Sequence, residues 1–138
     1  MERPHKDEYY MQIAELASSR WTCCRAKVWA VIVKSWVIVS TWYNWKARWE
    51  EHCDWWKSCL VDWHCYVALH AEENAIIAAS RTWVALEWAM IYCTHKPCDQ
   101  CSRRIINAGI TQIIYKNEYK WYGTIDVSKF IPIRNMIW

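Results

Sequence analysis

Two helix starts that carry metal-ligand side chains constrain this chain more than any other feature. His70-Ala-Glu72 opens the run HAEENAIIAASR, which reads as a helix to Arg81. Pro97-Cys98-Asp-Gln-Cys101 opens another, read as a helix from Cys98 to Ala108 with Gly109 as its C′ residue. Between Glu72 and Pro97 lie 24 residues, and 88–94 within them read as a strand. Two thiolates and one imidazole supply three protein ligands, which leaves the fourth position of tetrahedral zinc for water. Cysteines three apart at a helix start lie on one face. The positive helix N-terminus also favours their thiolate form. Glu72, two residues past His70, stands close to such a metal without having to bind it. Taken alone, the Cys-x-x-Cys also fits a redox pair or half of a structural zinc site.

The rest of the chain reads as elements around this pair. Residues 7–19 predict a helix capped by Asp7, with Met11, Ile13, Leu16 and Ala17 as its apolar stripe. Residues 28–34 and 36–42 are β-branched runs with a break at Lys34-Ser35, which predicts a hairpin. Residues 43–64 show no period and hold His52, Cys53, Cys59 and His64, so they read as a long functional loop. Thr111–Tyr115 predicts a further strand, and the tail from Lys120 is mixed and broken by Pro132. Alternating strands and helices after residue 84 imply parallel pairing, and the early hairpin implies an antiparallel edge. The fold class is therefore α/β, a mixed sheet with helices on both faces, in one domain over residues 1–138.

Composition excludes several classes. An apolar fraction of 54% is not that of a disordered tail. Apolar runs such as Val28–Val33 are too short to span a bilayer, and the charged N-terminus has no apolar core of a signal peptide, so no membrane partner is expected. A net charge of +3 from scattered basic residues predicts no stable nucleic-acid partner. Eight cysteines without a signal peptide point to a reduced, cytoplasmic, metal-binding protein.

The pair H-x-E and P-C-x-x-C is the zinc deaminase signature, with the Glu outside the coordination shell. On His70-Ala-Glu-Glu-Asn-Ala-Ile, Thr94-His-Lys-Pro-Cys-Asp-Gln-Cys and Ile105-Ile-Asn-Ala-Gly-Ile, the chain resembles the zinc-dependent cytidine and deoxycytidylate deaminase family. Val31-Ile-Val, Ser40-Thr-Trp-Tyr-Asn and His64-Cys extend the likeness, which covers nearly all of residues 8–120. The resemblance implies a three-layer cytidine-deaminase-like fold with a mainly five-stranded sheet. It implies a hydrolase acting on a cyclic amidine, converting dCMP to dUMP and ammonia in pyrimidine nucleotide metabolism. Glu72 then carries protons from the attacking water to ring N3 and to the departing amine. Another cytosine nucleoside or an RNA base as substrate, or a catalytically impaired zinc-binding variant, stay open as alternatives.

The resemblance implies further roles. Asn44 contacts the sugar or ring edge, Tyr119 the phosphate, and Arg81 a phosphate near a subunit interface. Cys23, Cys53 and His64 stand where one branch of the family holds a second, structural zinc, with His52 as a possible substitute for Cys53. Family members are typically homo-oligomers, often hexamers, and many respond to dCTP and to dTTP with Mg2+. The chain also departs from the family. Trp29, Trp42 and Trp45 stand where Gly is usual, and Trp36, Trp49, Trp63, Trp83 and Trp88 stand near such positions, in a chain with 13 Trp and 2 Gly. Val67 and Ala68 replace residues that tend to be polar. Strained backbone, overpacking and impaired substrate or effector binding around residues 42–49 are the expected consequences.

Overall fold

The computed structural model describes residues 2–19, 26–51, 60–61, 64–65, 67–119, 123 and 125–136. Helix α1 spans Lys6–Ser18, and the strands β1, Trp29–Lys34, and β2, Val37–Tyr43, form the expected hairpin. Short strands β3, Leu60–Val61, and β4, His64–Cys65, pair with each other at the end of the stretch 43–64 expected to be loop. Helix α2, Ala71–Arg81, precedes β5, Met90–His95; helix α3, Asp99–Asn107, precedes β6, Gln112–Asn117. A short 3-10 turn, Val127–Lys129, leads into β7, Ile133–Asn135.

The five-stranded sheet has the order β2-β1-β5-β6-β7. β1 pairs antiparallel with both β2 and β5, while β5, β6 and β7 run parallel. The mixed sheet is therefore as expected, and the C-terminal tail supplies its fifth strand. Strand periodicity divides the core in two. Ala30, Ile32, Ile91, Cys93, Ile113 and Tyr115 face α2 and α3, where they meet Ala71, Ala75, Ala79 and Ile105. Val31, Val33, Tyr92 and Ile114 point the other way, onto Tyr10, Met11 and Ala14 of α1. These two apolar layers make the three-layer α/β/α arrangement.

Several local expectations are corrected. His5, not Asp7, caps α1, its ring nitrogen accepting the Asp7 amide at 3.3 Å. Asp7 is buried because it instead accepts hydrogen bonds from Tyr92 and Arg134, tying α1 to β5 and β7. Leu16 lies off the buried stripe and is 73% exposed. β5 starts two residues later than read, after a turn in which Trp88 takes φ +67°.

Tryptophan meets the backbone in two ways. Trp36, Trp49, Trp83 and Trp88 sit at φ of +65°, +71°, +59° and +67°, in the left-handed region that disfavours any Cβ. With Ser35 at φ +50°, Trp36 completes a hairpin turn that has both central residues at positive φ, as a type I′ turn requires. Trp29 behaves differently. It is buried at the start of β1, its ring stacks on Tyr43 at 4.6 Å, and its Nε1 donates to Thr41 Oγ1 at 2.9 Å. The expected overpacking is thus replaced there by an aromatic cluster, in which Trp42 also stacks on Tyr43 and Trp45 meets it edge-on. Trp63 falls outside the described residues.

The two glycines mark close approaches. A Cβ on Gly109, at φ +84°, would lie 2.5 Å from Glu87 Oε2, and one on Gly123 would lie 1.6 Å from Asp99 Oδ1.

Candidate active site

The sheet topology brings the starts of α2 and α3 together. β5 runs between them, and Glu73 on α2 pairs with Arg104 on α3 at 3.4 Å. His70 is the N-cap residue of α2 and Cys98 that of α3, with Cys101 in the first turn. His70 makes no side-chain cap hydrogen bond, and Cys98 bonds Cys101 instead of capping its helix, so both side chains serve a site between the helices. His70 Nδ1 lies 3.6 Å from Cys98 Sγ and 3.3 Å from Cys101 Sγ, and all three donor atoms fall within 4.8 Å of one another. Tetrahedral zinc with bonds of about 2.0–2.3 Å sets its ligand atoms about 3.5–3.8 Å apart, so a zinc ion fits this donor set.

The electrostatics agree. Cys98 is held as a thiolate, its pKa lowered to about 4 by the Cys101 thiol and also by His70, against the effect of burial. Cys101 is pushed far above the usual thiol range by its hydrogen bond to Cys98, by burial and by the Glu72 charge. Two adjacent sulfurs thus share a proton that a divalent cation would replace. The His70 pKa is raised by its Cys98 hydrogen bond, which outweighs burial.

Glu72 stands in the first turn of α2 and is 3% exposed. Its Oε2 has no hydrogen-bond partner among the described residues. Burial raises its pKa to about 6, within reach of neutrality. An orphaned buried carboxylate oxygen beside a zinc ligand set is the arrangement of a proton carrier.

His70, Glu72 and Cys98 line a cleft whose walls also include Val28, Asn44, Ala68, His95, Lys96 and Tyr119, and Cys101 is buried next to it. Asn44 is fixed from both ends, as its Oδ1 accepts the Val28 amide at 3.1 Å and its Nδ2 donates to the Ala26 carbonyl at 3.1 Å. It joins the end of β2 to the start of β1 at the cleft wall. Asn74, in the same motif as Glu72, donates to the Tyr43 carbonyl at 3.0 Å and so anchors α2 beside that corner.

Zinc-binding regions of cytidine and deoxycytidylate deaminases match residues 4–117 as a family. The chain belongs to this deaminase family. ComE operon protein 2 of Bacillus subtilis is 38% identical over 120 residues, covering 87% of this chain and 64% of that protein. Deoxycytidylate deaminase of Saccharomyces cerevisiae is 34% identical over 139 residues, covering 96% of this chain and 43% of that protein. The chain thus spans about two thirds and about two fifths of the length of these curated relatives. A crystal structure of the dCMP deaminase from cyanophage S-TIM5, in complex with dCMP and dUMP, superposes with a TM-score of 0.85 at 31% identity, covering 99% of this chain and all of that one.

The candidate site gathers some of the residues read from sequence and not others. His70, Glu72, Cys98 and Cys101 converge, and Asn44 and Tyr119 line the same cleft. Arg81 is exposed at the far end of α2, roughly 15 Å of helix away from His70. It does not reach the cleft of its own chain. Cys23, His52 and Cys53 lie outside the described residues, as does the side chain of His64. Sequence reasoning missed His95 and Lys96. The signal was present, since both stand in the Thr94-His-Lys-Pro-Cys stretch just before the ligands.

Proposed function

We propose that this chain deaminates dCMP hydrolytically to dUMP and ammonia, as a zinc-dependent hydrolase acting on a cyclic amidine. One observation carries the proposal: His70, Cys98 and Cys101 converge next to a cleft that the buried Glu72, with its unpartnered oxygen, helps to line. The names of the yeast relative and the cyanophage structure point to the same substrate.

His70, Cys98 and Cys101 would hold zinc, which lowers the pKa of a bound water from 15.7 to about 7. Glu72 does the proton work. As a carboxylate it takes a proton from the attacking water and delivers it to ring N3 as the water oxygen adds to C4. It then takes the remaining proton from the oxygen now on C4 and gives it to the amine, so that the C4–N bond breaks, ammonia leaves and the C4 carbonyl forms. A pKa near neutrality suits both halves of this cycle. Asn44 orients the sugar or ring edge from the cleft wall, and Tyr119 contacts the phosphate.

The family likeness supports a wider reading. A homo-oligomer, with a hexamer favoured, would allow Arg81 to reach a neighbouring chain's phosphate. It also supports response to dCTP and dTTP with Mg2+, a second zinc on Cys23, Cys53 and His64, and a cytoplasmic setting that keeps the thiols reduced. No described helix is long and apolar enough to cross a membrane.

Ammonia release tests the reading, with dCMP, deoxycytidine and single-stranded RNA as substrates. Release from dCMP is expected. Release confined to deoxycytidine or RNA would overturn the substrate assignment.

A further inference from the structure

His95 closes β5 and lines the cleft that holds Glu72, although the chemistry described so far does not use it. Its ring nitrogen Nδ1 lies 3.2 Å from Thr94 Oγ1. That hydroxyl oxygen already accepts the Trp29 amide at 2.9 Å. Thr94 is only 5% exposed, so its own proton needs a partner. Among the described residues, His95 Nδ1 is the other atom bonded to it. If the ring donated from Nδ1 instead, the buried hydroxyl hydrogen would be orphaned, a penalty that folded proteins avoid. The relay therefore runs from Trp29 N–H to Thr94 Oγ1, and from Thr94 O–H to His95 Nδ1. It leaves His95 as the Nε2–H tautomer, a fixed donor and not an acceptor. Burial lowers the His95 pKa, which keeps the ring neutral and this pattern intact.

Lys96 follows at the same wall. Its amide donates to the Asn117 carbonyl at 2.9 Å, and its ammonium is held at the rim 3.5 Å from Glu118 Oε2. Among the described residues lining the cleft, Lys96 is the one lysine or arginine. A fixed neutral donor next to a cation suits an anionic oxygen. In a nucleotide whose reacting C4 sits on the floor with Glu72, the anionic group is the 5′-phosphate.

We propose that His95 is a specificity-determining residue that donates its Nε2–H to the 5′-phosphate of the nucleotide, with Thr94 as its positioning residue and Lys96 supplying the positive field. This rests on the reading of the chain as a nucleotide deaminase and names the group that lets it tell a nucleotide from a nucleoside.

The test uses zinc-loaded protein and measures affinity for dUMP and for deoxyuridine, alongside ammonia release from dCMP. His95→Leu should weaken dUMP about tenfold to hundredfold, the size of a hydrogen bond to a charged group, and leave deoxyuridine within twofold. His95→Gln, whose amide places an N–H near the Nε2 position, should recover most of the loss. Thr94→Val should raise KM for dCMP with little change in kcat, and Thr94→Ser should restore it. Long-range proton–nitrogen NMR of the unmodified protein should find His95 protonated on Nε2. Equal weakening of dUMP and deoxyuridine, no weakening of either, or a ring protonated on Nδ1 would overturn the proposal while ammonia release from dCMP stands. Absence of both ammonia release and dUMP binding in the unmodified protein would overturn the functional reading as well.

Discussion

In the proposed reaction, Glu72 concentrates the chemistry in one side chain. Its carboxylate is buried, one oxygen is unpartnered, and its pKa is raised to about 6 by burial. Glu72→Gln keeps the size and removes the proton carrier. Turnover should fall by about a hundredfold or more, within the range for general acid–base groups. Zinc content by elemental analysis should not change, because His70, Cys98 and Cys101 make the candidate ligand set without it. Loss of zinc in this variant would instead make Glu72 a ligand. Tryptophan at positive φ gives a second prediction at this scale. Trp49, Trp83 and Trp88 are 97%, 95% and 80% exposed, so their rings lose little packing when removed. Left-handed backbone costs a residue with a Cβ about 1–2 kcal/mol. Glycine gives back part of that through the entropy of its unfolded chain. Trp83→Gly and Trp88→Gly should each add about 0.5–1 kcal/mol, read as a higher urea midpoint at unchanged slope.

Helix α1 is held across the sheet by a polar clasp in addition to its apolar stripe. Asp7 accepts from Tyr92 of β5 and Arg134 of β7. Burial alone would raise the Asp7 pKa, but these bonds and the Arg134 charge bring it below 3.8. A carboxylate with a depressed folded pKa stabilises above its unfolded value, and that stability is lost as pH falls through the folded one. Asp7→Asn should cost about 1–3 kcal/mol at pH 7, as for a hydrogen bond to a charged group. It should also flatten the loss of stability below pH 4 in acid-titrated denaturation. Sequence made some of these elements legible and not others. The central strands announced themselves as apolar runs because both faces are buried. β7 did not, being three residues long and preceded by Pro132. Asp7 was misread as a cap because cap and clasp use the same residue type, and only the distant Arg134 tells them apart. His70 and Cys101 were legible because local spacing sets their geometry. The position of His95 was legible in the stretch just before Cys98, but its tautomer was not, since that depends on Trp29, far away in the sequence.

At the scale of the whole molecule, zinc on His70, Cys98 and Cys101 would couple metal to fold, because these candidate ligands come from the starts of two helices on either side of β5. Binding a metal only in the folded state adds stability of about 4 kcal/mol when free metal is a thousandfold above Kd. A chelator should therefore lower the melting temperature by several degrees, and added zinc should restore it. Zinc per chain near one in fully loaded protein would remove the proposed site on Cys23, Cys53 and His64, and a value near two would support it. The most direct test of the account is ammonia release from dCMP by zinc-loaded protein, measured beside the chelated protein and Glu72→Gln. The account predicts release that requires zinc and falls about a hundredfold or more without the Glu72 carboxylate. No release from the zinc-loaded protein, or release that survives Glu72→Gln undiminished, would contradict it.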